Sequence, residues 1–267
     1  MAILSISREY RSGGREIGRA VAREVLYEFV DKDRILQDLK SSGEKWRNLA
    51  EDLDEAQPTL WEKFDWEYRA FIALIECYIY DHALKDRAVI IGRGSNFLLA
   101  DIALALKIRL TAPLEVRVER VMRDNEMDRR TALWLIEKTD RTRAGYIQSV
   151  YGKHWEDPKY YDLVFDTGSQ SFEEVTGILV DALKARDREA FPEARQRLKD
   201  LALTAQVKSH LFTNPKVFVP TLEIVHDGRA IVLQGAVHNP KEYHLVEELA
   251  RQAAGSHPLR NELHYRT

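Results

Sequence analysis

The stretch that most constrains this chain lies at its start: Ala2-Ile-Leu-Ser-Ile-Ser-Arg8-Glu-Tyr-Arg11-Ser12-Gly13-Gly14-Arg15-Glu16-Ile17-Gly18. A short apolar run breaks into a polar loop with paired glycines. Apolar residues then return at Ile17, Ala20, Val21 and Val25, the spacing of one helix face. Strand, glycine loop and helix together offer backbone N–H groups and a helix N-terminus, an arrangement suited to a phosphate. The loop departs from the standard pattern G-x-x-x-x-G-K-[ST]. Arg8 stands at its first glycine, Gly14 at its lysine and Arg15 at its hydroxyl. The rest of the chain has to decide between an altered phosphate loop and a plain tight turn.

The alternation continues. Residues 2–7 read as a buried strand and Arg15 to Tyr27 as the first helix, followed by a short strand over Glu28–Asp31 and a helix from Lys32 to Lys40. Glu44 to Thr59 is a charged segment with Pro58, and Leu60 to Leu84 a long helix. On it Trp61, Phe64, Tyr68, Phe71, Leu74, Ile75, Tyr78 and Ile79 keep the helical period, a stripe that suits a core or a dimer face better than a nucleobase platform. Ala88–Gly92 is a central strand ending in Gly92-Arg93-Gly94-Ser95, and Leu106–Thr111 another. Pro113 opens a helix over Leu114–Arg123 with Arg117 and Arg120 three apart, and a polar helix spans Asp128–Tyr151. A last strand covers Asp162–Asp166, and Ser171 with Glu174 forms a capping box for a helix reaching Lys184. This order predicts a mostly parallel sheet with helices on both faces. Its site belongs beyond the strands' carboxyl ends, at the turns 8–15, 92–95 and 166–168.

A charged segment with Pro192, between Arg186 and Lys199, marks the expected boundary of two domains, 1–190 and 198–267. Beyond it come a helix (Leu198, Leu201, Val207, Leu211), two strands around His226-Asp227-Gly228-Arg229, a helix from Lys241 to Ala253 and a strand near Leu259–His264. The tail is thus a small α+β module of order αββαβ. Six of the eight histidines lie there (His210, His226, His238, His244, His257, His264), spread so widely that scattered surface histidines are expected rather than a metal site. Net charge of −3 gives no pull toward nucleic acid, and the single cysteine, Cys77, excludes a disulfide framework and points to a reducing cytoplasm. Cys77 sits in an apolar run and reads as buried rather than catalytic. No apolar run approaches the length that spans a bilayer, and no secretory leader is visible.

Phosphoryl transfer is chiefly positioning and neutralisation of oxygen charge, so its sites gather arginines and carboxylates. Three basic groups fall where the predicted sheet places a site. Arg15 opens the helix after the loop, Arg93 follows a central strand, and Lys138, Arg141 and Arg143 flank Asp140 on a helix that can act as a lid.

Over residues 2–185 the chain resembles the cytidylate-kinase-like family, a branch of the P-loop nucleoside monophosphate kinases. The resemblance is carried by Ile6–Gly18, Val30-Asp31-Lys32, Ile91-Gly-Arg-Gly94, Leu110–Arg117, Lys138-Thr-Asp-Arg-Thr-Arg143, Tyr151-Gly, Trp155–Pro158 and Tyr161–Thr167. It implies a P-loop kinase-like fold and phosphoryl transfer from ATP, with Mg2+, to CMP or a related nucleotide. The donor would lie on Ser12, Gly13, Gly14, Arg15 and Glu16, and the acceptor near Asp31, Arg93 and Gly94. Arg15, Asp140, Arg141 and Arg143 would serve catalysis. Gly94 stands where ordinary cytidylate kinases have the aspartate of a Gly-Arg-Asp turn, and Asp166-Thr167 matches an Asp-Thr that ends the last strand. The tail resembles a BON domain in Val219–Gly228, Ile231–Val237 and Ala250–Asn261, which implies contact with phospholipid or a small ligand. The alternative reading is a catalytically inactive nucleotide sensor coupled to that module. Nucleotides are the expected partners, with a homodimer possible through the aromatic stripe.

Overall fold

The computed structural model describes residues 2–52 and 65–266. Five strands, β1 (Ile3–Arg8), β2 (Glu28–Val30), β3 (Ala88–Ile91), β4 (Ala105–Thr111) and β5 (Leu163–Asp166), form an all-parallel sheet in the order β2-β3-β1-β4-β5. Central β1 is apolar without alternation because both its faces are covered. Leu4, Ile6, Val89 and Ile108 pack with Ile17 and Val21 of α1 (Gly14–Val25) and with Val175 and Leu179 of α8 (Phe172–Arg186). Ile3, Ala88, Ile90 and Ala105 face the opposite way, into the cluster built on α4 (Trp66–Leu84). The period-two alternation of the strands thus divides one set of residues between two cores. The expected capping box at Ser171 and Glu174 is present at the head of α8.

Helix α4 is apolar nearly all round, and that requires cover on every side. Tyr68, Phe71, Leu74, Ile75 and Ile79 are buried, so the aromatic stripe is core. Its members Trp61 and Phe64, with Pro58, lie outside the described residues. One side of α4 meets the sheet, α2 (Lys32–Ser41) and α3 (Glu44–Asp52), the last a helix where only a charged segment was expected. The other side meets α9 (Pro192–Thr213), which begins with proline in its first turn, six residues earlier than its apolar pattern shows. Lys208 reaches Glu76 at 2.8 Å, and Arg69 holds the carbonyls of Pro220 and Leu222.

The remaining elements are α5 (Ser95–Leu98), α6 (Leu114–Asn125) and α7 (Arg129–Tyr151) in the first part, and β6 (Glu223–His226), β7 (Ile231–Val237), α10 (Pro240–Ala254) and β8 (Leu259–Tyr265) in the tail. β6 pairs antiparallel with β7, and β7 parallel with β8 across α10, giving the expected αββαβ order. One apolar cluster runs from Ile3 and Phe71 through Leu211 to Ile231 and Val246. No helix among the described residues is long and apolar enough to cross a membrane. Phe71, 1% exposed within the cluster built on α4, is the sharpest test of this packing. Phe71→Ala is expected to cost about 3–5 kcal/mol in urea unfolding.

A cationic cleft at the head of the sheet

The loop between β1 and α1 has no ladder of its own, so its carbonyls need other partners. Each has one, and all but that of Glu9 come from outside the loop. Arg143 Nη1 donates to Arg8 O at 3.2 Å, Arg117 Nη1 lies 3.5 Å from Tyr10 O, Arg120 Nη1 donates to Arg11 O at 3.0 Å, and Thr167 Oγ1 to Ser12 O at 3.0 Å. The Glu9 carbonyl accepts from Ser12 N–H at 3.3 Å, with Ser12 Oγ at 2.9 Å. Tyr10 N–H donates to Asp140 Oδ1 at 2.7 Å, and Asp140 also accepts from Arg117. The Glu9 carboxylate is fixed by Ala112 N–H at 3.2 Å and by Arg109 at 3.5 Å, itself stacked on Trp155 at 4.2 Å.

So held, the chain takes left-handed backbone at Arg11 (φ +63°) and Gly13 (φ +84°). Arginine in that region costs about 1 kcal/mol, and its side chain is tied to Asp124 at 3.1 Å and to Asn125. Gly13 is obligatory twice over, since a Cβ there falls 2.3 Å from Phe172 Cζ. Helix α1 starts with no side-chain cap, and its first bond runs from Ile17 N–H to Gly13 O at 2.9 Å. The amides of Gly14, Arg15 and Glu16 therefore lie outside the helical ladder, facing the loop.

A cleft of about 520 Å³ opens there, beyond the carboxyl ends of β1 and β3. Eight basic residues border it (Arg8, Arg11, Arg15, Lys32, Arg93, Arg120, Arg123, Arg143) against five acidic ones (Glu9, Glu16, Asp31, Asp33, Asp124). That excess of positive charge over exposed helix amides is the chemistry of a polyanion site.

Of the residues singled out in the sequence, Gly13, Gly14, Arg15, Glu16, Asp31, Arg93 and Arg143 border this cleft together. Arg15 Nη2 donates to Asp31 Oδ2 at 2.9 Å and also to Asp33, across the gap to α2. Asp31 at the same time caps α2, accepting from Arg34 N–H at 3.2 Å. Arg93 is 4% exposed at φ +55°, its carbonyl accepting from Tyr151 Oη at 3.0 Å.

Four others are placed elsewhere. Ser12 is fully buried, its hydroxyl 2.9 and 3.0 Å from the carbonyls of Glu9 and Leu110, so it offers no oxygen to the cleft. Asp140 is occupied with the loop. Arg141 is exposed and outside the cleft, because two residues on a helix turn the side chain by roughly 200° from Arg143. Gly94 borders only a small cavity of about 10 Å³ behind the cleft. Sequence reasoning did not pick out Arg8, Lys32, Arg120 and Arg123 as cleft residues. For Arg120 a signal existed, the i,i+3 pairing with Arg117 that puts both on one face of α6.

The profile of the cytidylate kinase-like family matches residues 3–169, well over half of the sequence. The chain belongs to that family. A stretch of 78 residues is 38% identical to a cytidylate kinase of Methanopyrus kandleri, covering 29% of this chain and 40% of that protein. Another of 100 residues is 28% identical to a cytidylate kinase of Staphylothermus marinus, covering 38% and 56%. A third of 99 residues is 31% identical to a uronate isomerase of Corynebacterium glutamicum, covering 37% and 19%. The chain therefore spans between 19% and 56% of the length of these curated relatives. Among solved structures, an uncharacterized protein from Eubacterium ventriosum shares the fold at a TM-score of 0.55 and 20% identity, over 69% of this chain and 99% of that one.

Within this family member, glycine at 94 has a steric cause. At φ +71° a Cβ there would fall 2.1 Å from Tyr151 Cε2, so the ring fills the space that an aspartate side chain needs. In the tail the structure gathers two of the histidines expected to be scattered: His226 Nε2 lies 3.1 Å from His257 Nε2, beside Asp200. Gly228 N–H donates to His226 Nδ1 at 3.1 Å, which assigns the ring proton to Nε2, directed at His257. The ligand atoms of Asp200, His226 and His257 all lie within 4.8 Å of one another.

Gly94→Asp is expected to cost about 3 kcal/mol or more, from positive φ and overpacking together. Tyr151→Ala in the same chain should relieve the overpacking part of it. Thermal melts of the single and double variants check this, and a Gly94→Asp chain as stable as the parent contradicts it.

Proposed function

We propose that this chain is a nucleoside monophosphate kinase that passes a phosphoryl group from ATP to CMP or a related nucleotide. The observation that carries the reading is the convergence of eight basic side chains on a loop whose helix amides open into the same cleft. Gly13, Gly14, Arg15 and Glu16 hold the donor phosphates, Arg93 takes the acceptor phosphate with Asp31 beside it, and Arg143 and Arg120 flank the transferring group. Such positioning and charge neutralisation is most of what phosphoryl transfer asks of a protein. Asp140, Ser12 and Thr167 serve by fixing the loop.

Magnesium, bound with ATP, would supply positive charge against the phosphate oxygens. The cleft fits such an ion through carboxylates, since Glu16 and Asp33 border it, and not through a loop hydroxyl, since Ser12 Oγ is turned to two carbonyls. Because Tyr151 excludes a side chain at Gly94, recognition of the acceptor base rests on residues other than a Gly-Arg-Asp turn. The setting we propose is the cytoplasm. Cys77 is buried, and burial with Asp81 alongside pushes its thiol up to about 11, so it is packing rather than a nucleophile.

One observation favours a second reading, a nucleotide sensor without transfer coupled to a BON-like, phospholipid- or ligand-binding tail. Asp31 and Asp33 border the cleft at the head of α2, α2 packs on α4, and α4 packs on α9 of the tail. A change at the cleft thus has a continuous packed route to the tail.

ADP release with CMP, dCMP and UMP, measured beside direct nucleotide binding, separates the two. Turnover with one acceptor supports the kinase, whereas binding with no turnover for any of them supports the sensor. In either case Arg15→Ala and Arg93→Ala are expected to weaken nucleotide binding about tenfold or more, the worth of a charge-assisted contact. Arg251→Ala, on exposed α10, should leave it unchanged. Intact binding in Arg15→Ala would remove that residue from the donor site.

A further inference from the structure

Gly14 and Arg8 depart from the standard phosphate-loop pattern at its lysine and at its first glycine, and the structure shows the two departures to be one. A Cβ built on Gly14 falls 2.7 Å from Arg8 Cγ, 2.9 Å from Arg8 Cβ and 3.5 Å from Arg8 Cδ. These are stem atoms, rooted on a backbone that cannot yield. Arg8 pairs with Leu110 across the β1–β4 ladder, and its carbonyl accepts from Arg143 at 3.2 Å. The end of β1 and the start of α1 thus approach so closely that only one of the two positions can carry a side chain. The standard pattern gives it to the helix as lysine and keeps the strand end glycine. This chain gives it to the strand end as arginine and keeps the helix glycine.

We infer that Arg8 supplies, from the strand, the positive charge that a P-loop lysine supplies from the helix, set against the outer phosphates of the donor. The assignment rests on the ATP-binding reading proposed above. The Arg8 side chain crosses the face of Gly14 and borders the cleft. The neighbouring Arg15, which also borders the cleft, shares its charge with Asp31 and Asp33, so on the donor it adds to Arg8 rather than replacing it. The exchange also changes the chemistry. Lysine is a point charge, whereas a guanidinium presents a planar fork that pairs with two phosphate oxygens at once. Gly14, with no Cβ, leaves the Arg8 stem room against the helix start. Arg8 is thereby a donor-binding residue, and Gly14 is the glycine that makes room for it.

The decisive variant transposes the pair back. Calorimetric titration of the full chain with ATP, ADP and AMP is compared for the parent, Arg8→Gly, Arg8→Lys and the double variant Arg8→Gly/Gly14→Lys. Arg8→Gly is expected to lose ATP affinity at least tenfold and to leave AMP within about twofold, which a purely structural role would not separate. Arg8→Lys should fall between parent and Arg8→Gly. The double variant should recover ATP affinity to within about threefold of the parent, because glycine at 8 frees the space that lysine at 14 needs. Gly14→Lys with Arg8 still present should melt well below the parent, while the double variant should not. Arg8→Gly binding ATP as tightly as the parent overturns the assignment, as does a folded double variant no better than Arg8→Gly. A parent that binds no ATP refutes the proposed function instead. The same four proteins are then titrated with inorganic triphosphate, where the Arg8 assignment stands on the same ranking and falls if the parent binds no triphosphate either.

Discussion

Everything at the cleft depends on five consecutive carbonyls, Arg8 to Ser12, at the end of β1 and in the loop beyond it, four of which need partners from outside the loop. Three arginines, a threonine and a serine from five positions in the chain hold them. Four of the five partners come from α6, α7 and the turn after β5, and only Ser12 from the loop itself, so the loop takes its shape only when the sheet is complete and both helices are docked. This explains how arginine is tolerated in left-handed backbone at position 11: the surroundings over-determine the loop. It also explains why Asp140 lies where a catalytic carboxylate was expected and yet serves the backbone. Its two oxygens bind Tyr10 N–H and Arg117, leaving the helix that carries it fastened to the loop.

Concentrating so much positive charge in one place has a cost, and the molecule meets it in two ways. Two buried arginines are paired or stacked: Arg109 lies on Trp155 and beside Glu9, and Arg117 holds Asp140 and the Ala112 carbonyl. Where they border the cleft they are balanced across the gap, as Arg15 is by Asp31 and Asp33. A bound polyphosphate would compete for those same cations. The carboxylates that order the cleft in its absence are thus the groups a ligand must partly displace, and they sit at the head of α2, not on the loop itself.

Much of this was legible in the sequence, for identifiable reasons. The strands were readable because each is a short apolar run closed by glycine or a polar turn, and the order of runs and helices dictated the parallel sheet. Arg93 and Arg15 could be placed because the carboxyl ends of parallel strands share one edge. What stayed hidden was whatever depends on side-chain direction. Arg141 and Arg143 are equivalent in composition and opposite in orientation, and Ser12 is a loop hydroxyl that folds inward. Arg8 read as a missing glycine because a one-dimensional pattern treats positions 8 and 14 as independent. Their backbones are in fact close enough to exclude each other's side chains. Helix α3 was missed because its charged face outweighs the few apolar residues, such as Trp46, that bury it.

The tail can be understood from the same packing logic. An apolar helix such as α4 has to be covered all round, and the sheet covers only part of it. Helix α9 supplies the rest, and with it come β6, β7 and β8, tied by Lys208 to Glu76 and by Arg69 to the carbonyls at Pro220 and Leu222. The face of α4 that meets α9 carries Trp66, whose ring lies 4.8 Å from that of Phe212, and Glu76, paired with Lys208, so removing the tail would uncover that side of the helix. The αββαβ unit is therefore part of what makes the first sheet's far face stable. Any ligand that shifts α10 or the second sheet acts on a helix two packing steps from the Asp31–Arg15 contact at the cleft.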